Sequence, residues 1–315
     1  MNAINLRPNN FNDFIGKDNV KLVLKIAIEN SLKLSTNLDH IIFYGNPGIG
    51  KTSLATIIAN EMNRKIHYIQ GGTIKQYSDL LDIVSIINEH DILFIDEIHN
   101  IDDKIFELFH SLLEDFVIDI KIGKELNSQY NRFSVPRFTL IGSTTKLSNI
   151  PQPLVDRFPI KLWIDNYTDD EISLILNKIN SFINVGINQE EINIIAKCAK
   201  GTPRIGINIL RRVIDFKCFD KDNFDIVDCL LNIGIFPLGL EIIDFKYLLI
   251  LYESNSNVGL NQLSQCLYID KKMIEEKIEP YLLRTKLIIR LRNGRQLTEI
   301  GREYVSNNLK YFKHS

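Results

Sequence analysis

One stretch limits this chain more than any other. From Asp39 to Ser53 it reads DHIIFYGNPGIGKTS. Ile41 to Tyr44 is a short apolar run that reads as a buried strand, and Leu54, Ile57, Ile58 and Met62 beyond it carry helical spacing. Between them stands Gly45-Asn46-Pro47-Gly48-Ile49-Gly50-Lys51-Thr52, the GxxxxGK[ST] spacing in the strand–loop–helix setting that its mechanism requires. Gly48 and Gly50 let the backbone wrap an anion, so that amide groups and the helix amino terminus point at a β-phosphate. Lys51 would reach the β- and γ-phosphates, the Thr52 hydroxyl would hold Mg2+, and Ser53 follows beside them. The expectation is an α/β P-loop domain with a parallel sheet that binds nucleotide.

The remaining length leaves room for more. At 315 residues, the chain can form two or three domains. A formal charge of −2 excludes a global pull towards nucleic acid, so any DNA surface must be local. Cys198, Cys218, Cys229 and Cys266 show no CxxC pair or metal spacing and read as reduced residues of a cytosolic protein. Residues 1–10 carry no apolar leader, and no stretch approaches the ~20 apolar residues of a membrane span. A soluble, cytoplasmic protein is expected.

Residues 1–16 form a polar arm ahead of a helix over roughly 17–33; it either folds over a nucleotide base or packs for stability alone. Ile66 to Ile69 reads as a second strand, and 74–89 as a helix. Ile92-Leu93-Phe94-Ile95-Asp96-Glu97 is a buried strand whose carboxyl end points into the phosphate crevice. Asp96 would hold Mg2+, and Glu97 would polarise the attacking water. A helix over 102–117 ends at Glu114-Asp115-Phe116. The period then changes to two, giving a hairpin over about 117–135, either inert or a contact arm for a partner. Phe138 to Thr145 is another buried strand ending in two hydroxyls, where a polar side chain could position the lytic water or sense the γ-phosphate. Arg157, on a proline-punctuated turn, suits an arginine finger donated across a subunit interface, or a surface salt bridge.

From Thr168 the pattern is helical. Thr168-Asp169-Asp170-Glu171 caps the first helix, and others follow over about 188–200, 203–218 and 224–233. Arg204, beside Pro203 at a helix start, could face the nucleotide. Gly234 to Leu240 is a linker signal. Helices at about 241–252, 259–267 and 270–283 follow, then Lys286 to Leu291, an Asn293-Gly294 turn, a short strand and a last helix. Helices plus a hairpin give a winged-helix pattern. Residues 271–315 carry 11 Lys/Arg against 5 Asp/Glu, so positive charge is local here. Arg290, Arg292 and Arg295 line the wing and suit phosphate contact; a solvated basic surface or a protein-docking module stays open. The expected domains are 1–167, 168–238 and 239–315.

Assembled, these parts resemble the AAA+ ATPases, and more closely the RuvB family of Holliday-junction branch-migration motors. The most specific pieces are Leu6-Arg7-Pro8 with Phe11, Asp13 and Phe14-Ile15-Gly16; Gly45 to Thr52; Ile92 to His99; Glu114 to Val117; and Pro136 to Thr145. Gly234-x-x-Pro237-x-Gly239-Leu240 and Glu279-Pro280-Tyr281-Leu282 complete the set. The resemblance implies base- and ribose-side contacts at Leu6, Arg7 and Tyr167. It puts phosphate and Mg2+ contacts at Gly48, Lys51, Thr52 and Ser53, and Glu114, Asp115 and Phe116 near the nucleotide. Asp96 and Glu97 match the Walker B pair, Thr145 sensor 1, Arg157 the arginine finger and Arg204 sensor 2. Arg290 and Arg295 match the family's DNA contacts. ATP and Mg2+, a homo-hexameric ring on duplex DNA at Holliday junctions, docking of the 117–135 hairpin on RuvA, and the resolvase RuvC as a further partner all follow from the resemblance. So does a role in recombination and DNA repair.

The chain departs from the family in places. Its wing keeps the arginines but loses a Thr and a Pro, its hairpin lacks the usual Gly-Pro turn after Gly123, and Pro159 replaces a Gly after Arg157-Phe158. Two alternatives stand beside the motor: a clamp-loader-like or initiator ATPase, and an ATP-switched winged-helix regulator. Glu97 and Arg157 argue against the regulator, since a pure switch needs neither.

Overall fold

The computed structural model describes residues 7–122, 129–183, 185–254 and 256–312. It divides into two compact units, Met1–Tyr167 and Thr168–Ser315. Among the described residues, no helix is long and apolar enough to cross a membrane.

The first unit contains strands β1 (Ile41–Tyr44), β2 (Ile66–Gln70), β3 (Ile92–Asp96), β4 (Val117–Ile122), β5 (Gln129–Ser134), β6 (Thr139–Thr144) and β7 (Ile160–Trp163). Five of these form one parallel sheet in the order β2-β3-β6-β1-β7, while β4 and β5 pair antiparallel as a separate hairpin. The sequence explains the choice. β1, β3 and β6 are continuous buried runs without alternation, which suits strands covered on both faces. On one face the helices Tyr77–Ser85 and Asp103–Glu114 bring Leu80, Ile83, Phe106 and Phe109 against Ile42, Leu93, Ile95 and Leu140. Right-handed crossovers put the helix Lys51–Met62, with Leu54, Ile57 and Ile58 buried, on the other face.

β7 is absent from the sequence reading. It has four residues, follows Pro159 and alternates half-buried with exposed positions at the sheet edge, so its apolar signal is weak. The expected helix over 74–89 is shorter, Tyr77–Ser85, because a Gln76–Asp79 capping box starts it late.

The parallel order has a consequence for function. Register pairs Tyr44 with Thr144 and Trp163, and Gln70 with Asp96, so the five carboxyl ends line one edge of the sheet. The amino ends line the other.

The second unit opens with helices Asp169–Ile183, Gln189–Cys198, Pro203–Phe219 and Ile226–Asn232. Thr168 and Glu171 exchange side-chain-to-backbone bonds of 3.1 and 2.9 Å, the capping box that the TDDE run leads one to expect. Then come Ile242–Glu253, Leu260–Leu267 and a helix over 271–284 that passes through a π-turn at Ile274–Ile278. The strands Ile288–Leu291 and Gly294–Leu297 form the wing, and Glu299–Phe312 closes the unit. One apolar core, including Phe236, Phe245, Leu248, Leu263, Leu282 and Leu297, unites the three-helix set with the wing.

The linker Gly234–Leu240 is tightly held. Tyr281 and Tyr304 donate to the carbonyls of Leu238 and Pro237 at 2.7 and 2.6 Å. Gly239 has φ 72°, and a Cβ there would stand 2.0 Å from the Cys198 carbonyl oxygen, so only glycine fits.

Candidate functional site

The carboxyl edge carries the residues expected from the sequence to bind phosphate and hydrolyse it. Gly45 leaves β1 at φ 147°, and a Cβ there would meet the Ile164 carbonyl oxygen at 2.3 Å; the loop can turn only at glycine. Lys51 begins the helix that follows, 6% exposed, with Nζ 2.8 and 2.9 Å from the carbonyl oxygens of Gly45 and Asn46. Its ammonium therefore lies over the loop, as a phosphate cradle requires. Thr52 and Ser53 follow in the first turn, half-buried.

Asp96 ends β3. Ser143 Oγ on the neighbouring β6 donates to its Oδ1, and Gln70 Nε2 donates to Oδ2 at 3.4 Å. Glu97 comes next in a left-handed conformation, φ 49°, which a non-glycine residue adopts only under constraint. The constraint is visible. Thr145 donates to Glu97 Oε2 through its backbone N at 3.1 Å and its Oγ1 at 3.0 Å, and His99 Nδ1 stands 3.1 Å from the same oxygen. Among the described residues this leaves Oε1 to accept from water. His99 and Ser143 were not singled out from the sequence; His99 is readable only as the last letter of ILFIDEIH, and Ser143 only once β3 and β6 are known to be neighbours.

Among the described residues, no group of three or more His, Cys, Asp or Glu could hold an ion. Mg2+ takes one or two protein oxygens and completes its shell with water and phosphate. Thr52 and Asp96 would supply those oxygens, and the ion would neutralise developing phosphate charge.

The amino-terminal arm, expected on the base side, packs beside the P-loop. Phe11 N donates to Glu61 Oε1 at 3.4 Å, and Asn60 Nδ2 donates to Asn9 O at 2.9 Å, so the arm lies along the P-loop helix. Lys17 Nζ bonds Asn166 O at 2.8 Å and lies 4.2 Å from the Tyr167 ring centre. A Cβ on Gly50 would stand 3.1 Å from the Phe14 ring and 3.7 Å from the Tyr167 hydroxyl. Tyr167 and the arm thus meet at the P-loop. Arg7 is exposed, and Leu6 lies outside the described residues.

Glu114, Asp115, Phe116 and Arg157 are elsewhere. The Phe116 ring packs against His40 and Phe138, which immediately precede β1 and β6, and Arg157 precedes β7. These four residues occupy the amino edge, with the length of the sheet between them and the P-loop of the same chain. Sequence reading could not sort the two edges, because the sorting depends on strand direction.

The chain matches family profiles along almost its whole length: the Holliday junction DNA helicase RuvB P-loop domain over residues 6–164, the RuvB AAA lid domain over 167–228, and the RuvB C-terminal winged helix domain over 237–306. The chain belongs to the RuvB family. It is 43% identical over 303 residues to the Holliday junction branch migration complex subunit RuvB of Ureaplasma urealyticum, covering 96% of each chain. The protein of the same name from Mycoplasma genitalium is 41% identical, with 95% of this chain and 97% of that one covered. Among solved structures, the Thermotoga maritima RuvB Holliday junction branch migration motor superposes with a TM-score of 0.80 at 34% identity, over 96% of this chain and 98% of that one.

In this RuvB-family chain the second unit holds the other candidates. Arg204 is exposed in the first turn of Pro203–Phe219. On the wing the three arginines divide. Glu279, fully buried, accepts from Tyr247 Oη at 2.9 Å and Arg295 Nε at 2.8 Å, and also pairs with Arg290. Arg295, 13% exposed, is largely committed to that carboxylate and to Glu275. Arg290 is 43% exposed, and Arg292 stands exposed at the turn. The three wing arginines that suit phosphate contact therefore differ in how far they are exposed. A buried carboxylate must be neutralised, and nothing local in the sequence marks Glu279 as the partner of residues 11 and 16 positions away.

Proposed function

We propose that this chain is the motor subunit of a Holliday-junction branch migration complex. It hydrolyses ATP with Mg2+, assembles as a hexameric ring on duplex DNA, and drives the junction together with RuvA. The observation that carries this reading is the separation of the two edges. Lys51, Thr52, Asp96, Glu97 and Thr145 share the carboxyl edge, and Arg157 stands on the amino edge. One chain cannot complete its own site, but head-to-tail packing would offer one subunit's Arg157 to the next subunit's P-loop, and such a contact closes into rings. Arg204 would respond to the γ-phosphate. Arg292 and Arg290 would touch DNA phosphates without reading bases, as suits a motor that must not pause at particular sequences. The β4–β5 hairpin would dock on RuvA, and RuvC would act on the same junction.

The test is ATPase specific activity against protein concentration, followed by addition of RuvA and a synthetic four-way junction. We expect specific activity to rise steeply as rings form, by at least about tenfold given what a trans arginine contributes, and the junction to branch-migrate. A flat concentration profile with an unmoved junction would reject the reading.

A further inference from the structure

The corner of the amino edge that carries Arg157 is held together at a cost to the isolated chain. Arg157 Nη2 pairs with Glu114 Oε2 at 2.6 Å, while Arg157 Nε is buried with no hydrogen-bond partner. A buried, unsatisfied donor is destabilising. Glu114 is the last residue of the helix Asp103–Glu114, and Asp115 is its C-cap, with no basic residue in the last turn. Two carboxylates therefore stand at the negative end of a helix dipole, where acids are disfavoured. Phe116 then takes φ 55°, a left-handed conformation that is strained for an aromatic residue.

The strain is held by firm anchors. The Phe116 ring lies 6.1 Å from His40 and 5.8 Å, edge-on, from Phe138, with the Arg137 guanidinium 5.3 Å from its centre. His40 Nδ1 accepts from Leu140 N at 2.9 Å and its Nε2 donates to Leu113 O at 3.2 Å; burial pushes its pKa down, in keeping with the neutral ring that this pattern needs. On the other side, Arg157 N bonds Leu154 O at 3.0 Å behind the short helix Gln152–Val155. Two separately anchored segments thus deliver one carboxylate to one guanidinium. Such features persist where the surroundings enforce them, and they cluster at functional sites.

We propose that Glu114 is a positioning residue for Arg157, holding the guanidinium in the orientation in which it meets the nucleotide bound by the neighbouring subunit. The inference rests on the reading of Arg157 as a finger that acts in trans. A free arginine side chain samples many rotamers, and fixing it before contact removes that ordering from the transition state. The guanidinium has five N–H donors in a rigid fork, so one side can rest on Glu114 while others serve phosphate oxygens. An exposed ion pair with no such role contributes little to anything measurable, and the two ideas therefore predict different kinetics.

The experiment uses full-length chain at a concentration where rings form, with duplex DNA and saturating ATP. Glu114→Ala should lower kcat by about tenfold, a modest share of what misplacing a catalytic contact can cost, with KM for ATP within about twofold. Arg157→Ala should lower it by about 10³. The Glu114→Ala/Arg157→Ala double variant should be no slower than Arg157→Ala alone, because Glu114 has nothing left to position. Adding Lys51→Ala chains, whose amino-edge corner is intact, should restore turnover at the P-loops of Glu114→Ala chains in mixed rings. Unchanged kcat in Glu114→Ala, a double variant tenfold slower than Arg157→Ala, or absence of rescue would each overturn the proposal. Arg157→Ala turning over at the parental rate would reject the trans finger itself, a failure visible without any Glu114 variant.

Discussion

Glu97→Gln is expected to bind ATP as the parent does and to stop hydrolysing it. The side chain keeps its shape, and its amide oxygen can still accept from Thr145 N and Oγ1, so the carboxyl edge should fold unaltered. What is lost is the negative charge that, on the proposed reading, polarises water. Removing a general base lowers turnover by up to about 10⁴, and no other carboxylate among the described residues shares the Thr145 contact. Nucleotide affinity, read by fluorescence of a labelled ATP analogue, should stay within about twofold, since Lys51 and the loop amides supply binding. Single-turnover hydrolysis within tenfold of the parent would remove Glu97 from its role. The Thr145→Val variant makes an instructive companion. It deletes one of Thr145's two bonds to Glu97 Oε2 and keeps the backbone one, so its loss should be smaller.

The second large effect concerns folding. Glu279→Ala takes the only buried counter-charge from Arg290 and Arg295, among the described residues, and an acceptor from Tyr247. Breaking a buried ion pair on one side costs about 3–5 kcal/mol; here Arg295 loses its buried partner while the more exposed Arg290 can hydrate and Glu275 stays beside Arg295, so the lower end of that range is expected. For a unit of this size that corresponds to a fall of roughly 10 °C in melting temperature. Denaturant titration of the full chain should show a low-stability transition in the second unit, with the first unit's nucleotide binding intact. A midpoint within 2 °C of the parent would mean that water or relaxation satisfies the arginines. Weak DNA binding by this variant would therefore report a disordered wing, whereas Arg292→Ala, exposed at the turn, should weaken DNA binding with folding unchanged.

The parts of this chain that could be read from sequence are those whose chemistry is local. The P-loop needs eight consecutive residues and its flanks; the Asp96–Glu97 pair needs one apolar run; the TDDE cap needs four residues, and its reciprocal bonds are present. What escaped depends on distance in sequence. Ser143 reaches Asp96 across 47 positions, and Arg295 reaches Glu279 across 16. β7 is too short and too exposed to announce itself, yet its place beside β1 shapes the edge from which Arg157 projects. The expectation of Glu114 to Phe116 near the nucleotide rests on motif alone; strand direction puts them at the amino edge, away from the P-loop of the same chain.

The held linker has one more consequence, which concerns stiffness. Lys200, four residues before Arg204, pairs with Asp244 at 3.0 Å, and its carbonyl oxygen accepts from Arg284 at 2.7 Å, so the turn that leads into Arg204's helix is braced against the winged-helix half. With Pro237 and Leu238 also gripped by tyrosines, the hinge that a Gly-Pro-Gly linker suggests has no slack. We expect spin labels at Phe219 and Arg292, both exposed, to keep one narrow distance distribution whichever nucleotide is bound; a split distribution would locate a hinge after all. If the unit moves as one body, the displacement at the wing is the rotation at Arg204 multiplied by the arm between them. On the proposed motor reading, the stroke would then be a matter of length, fixed when the chain folds.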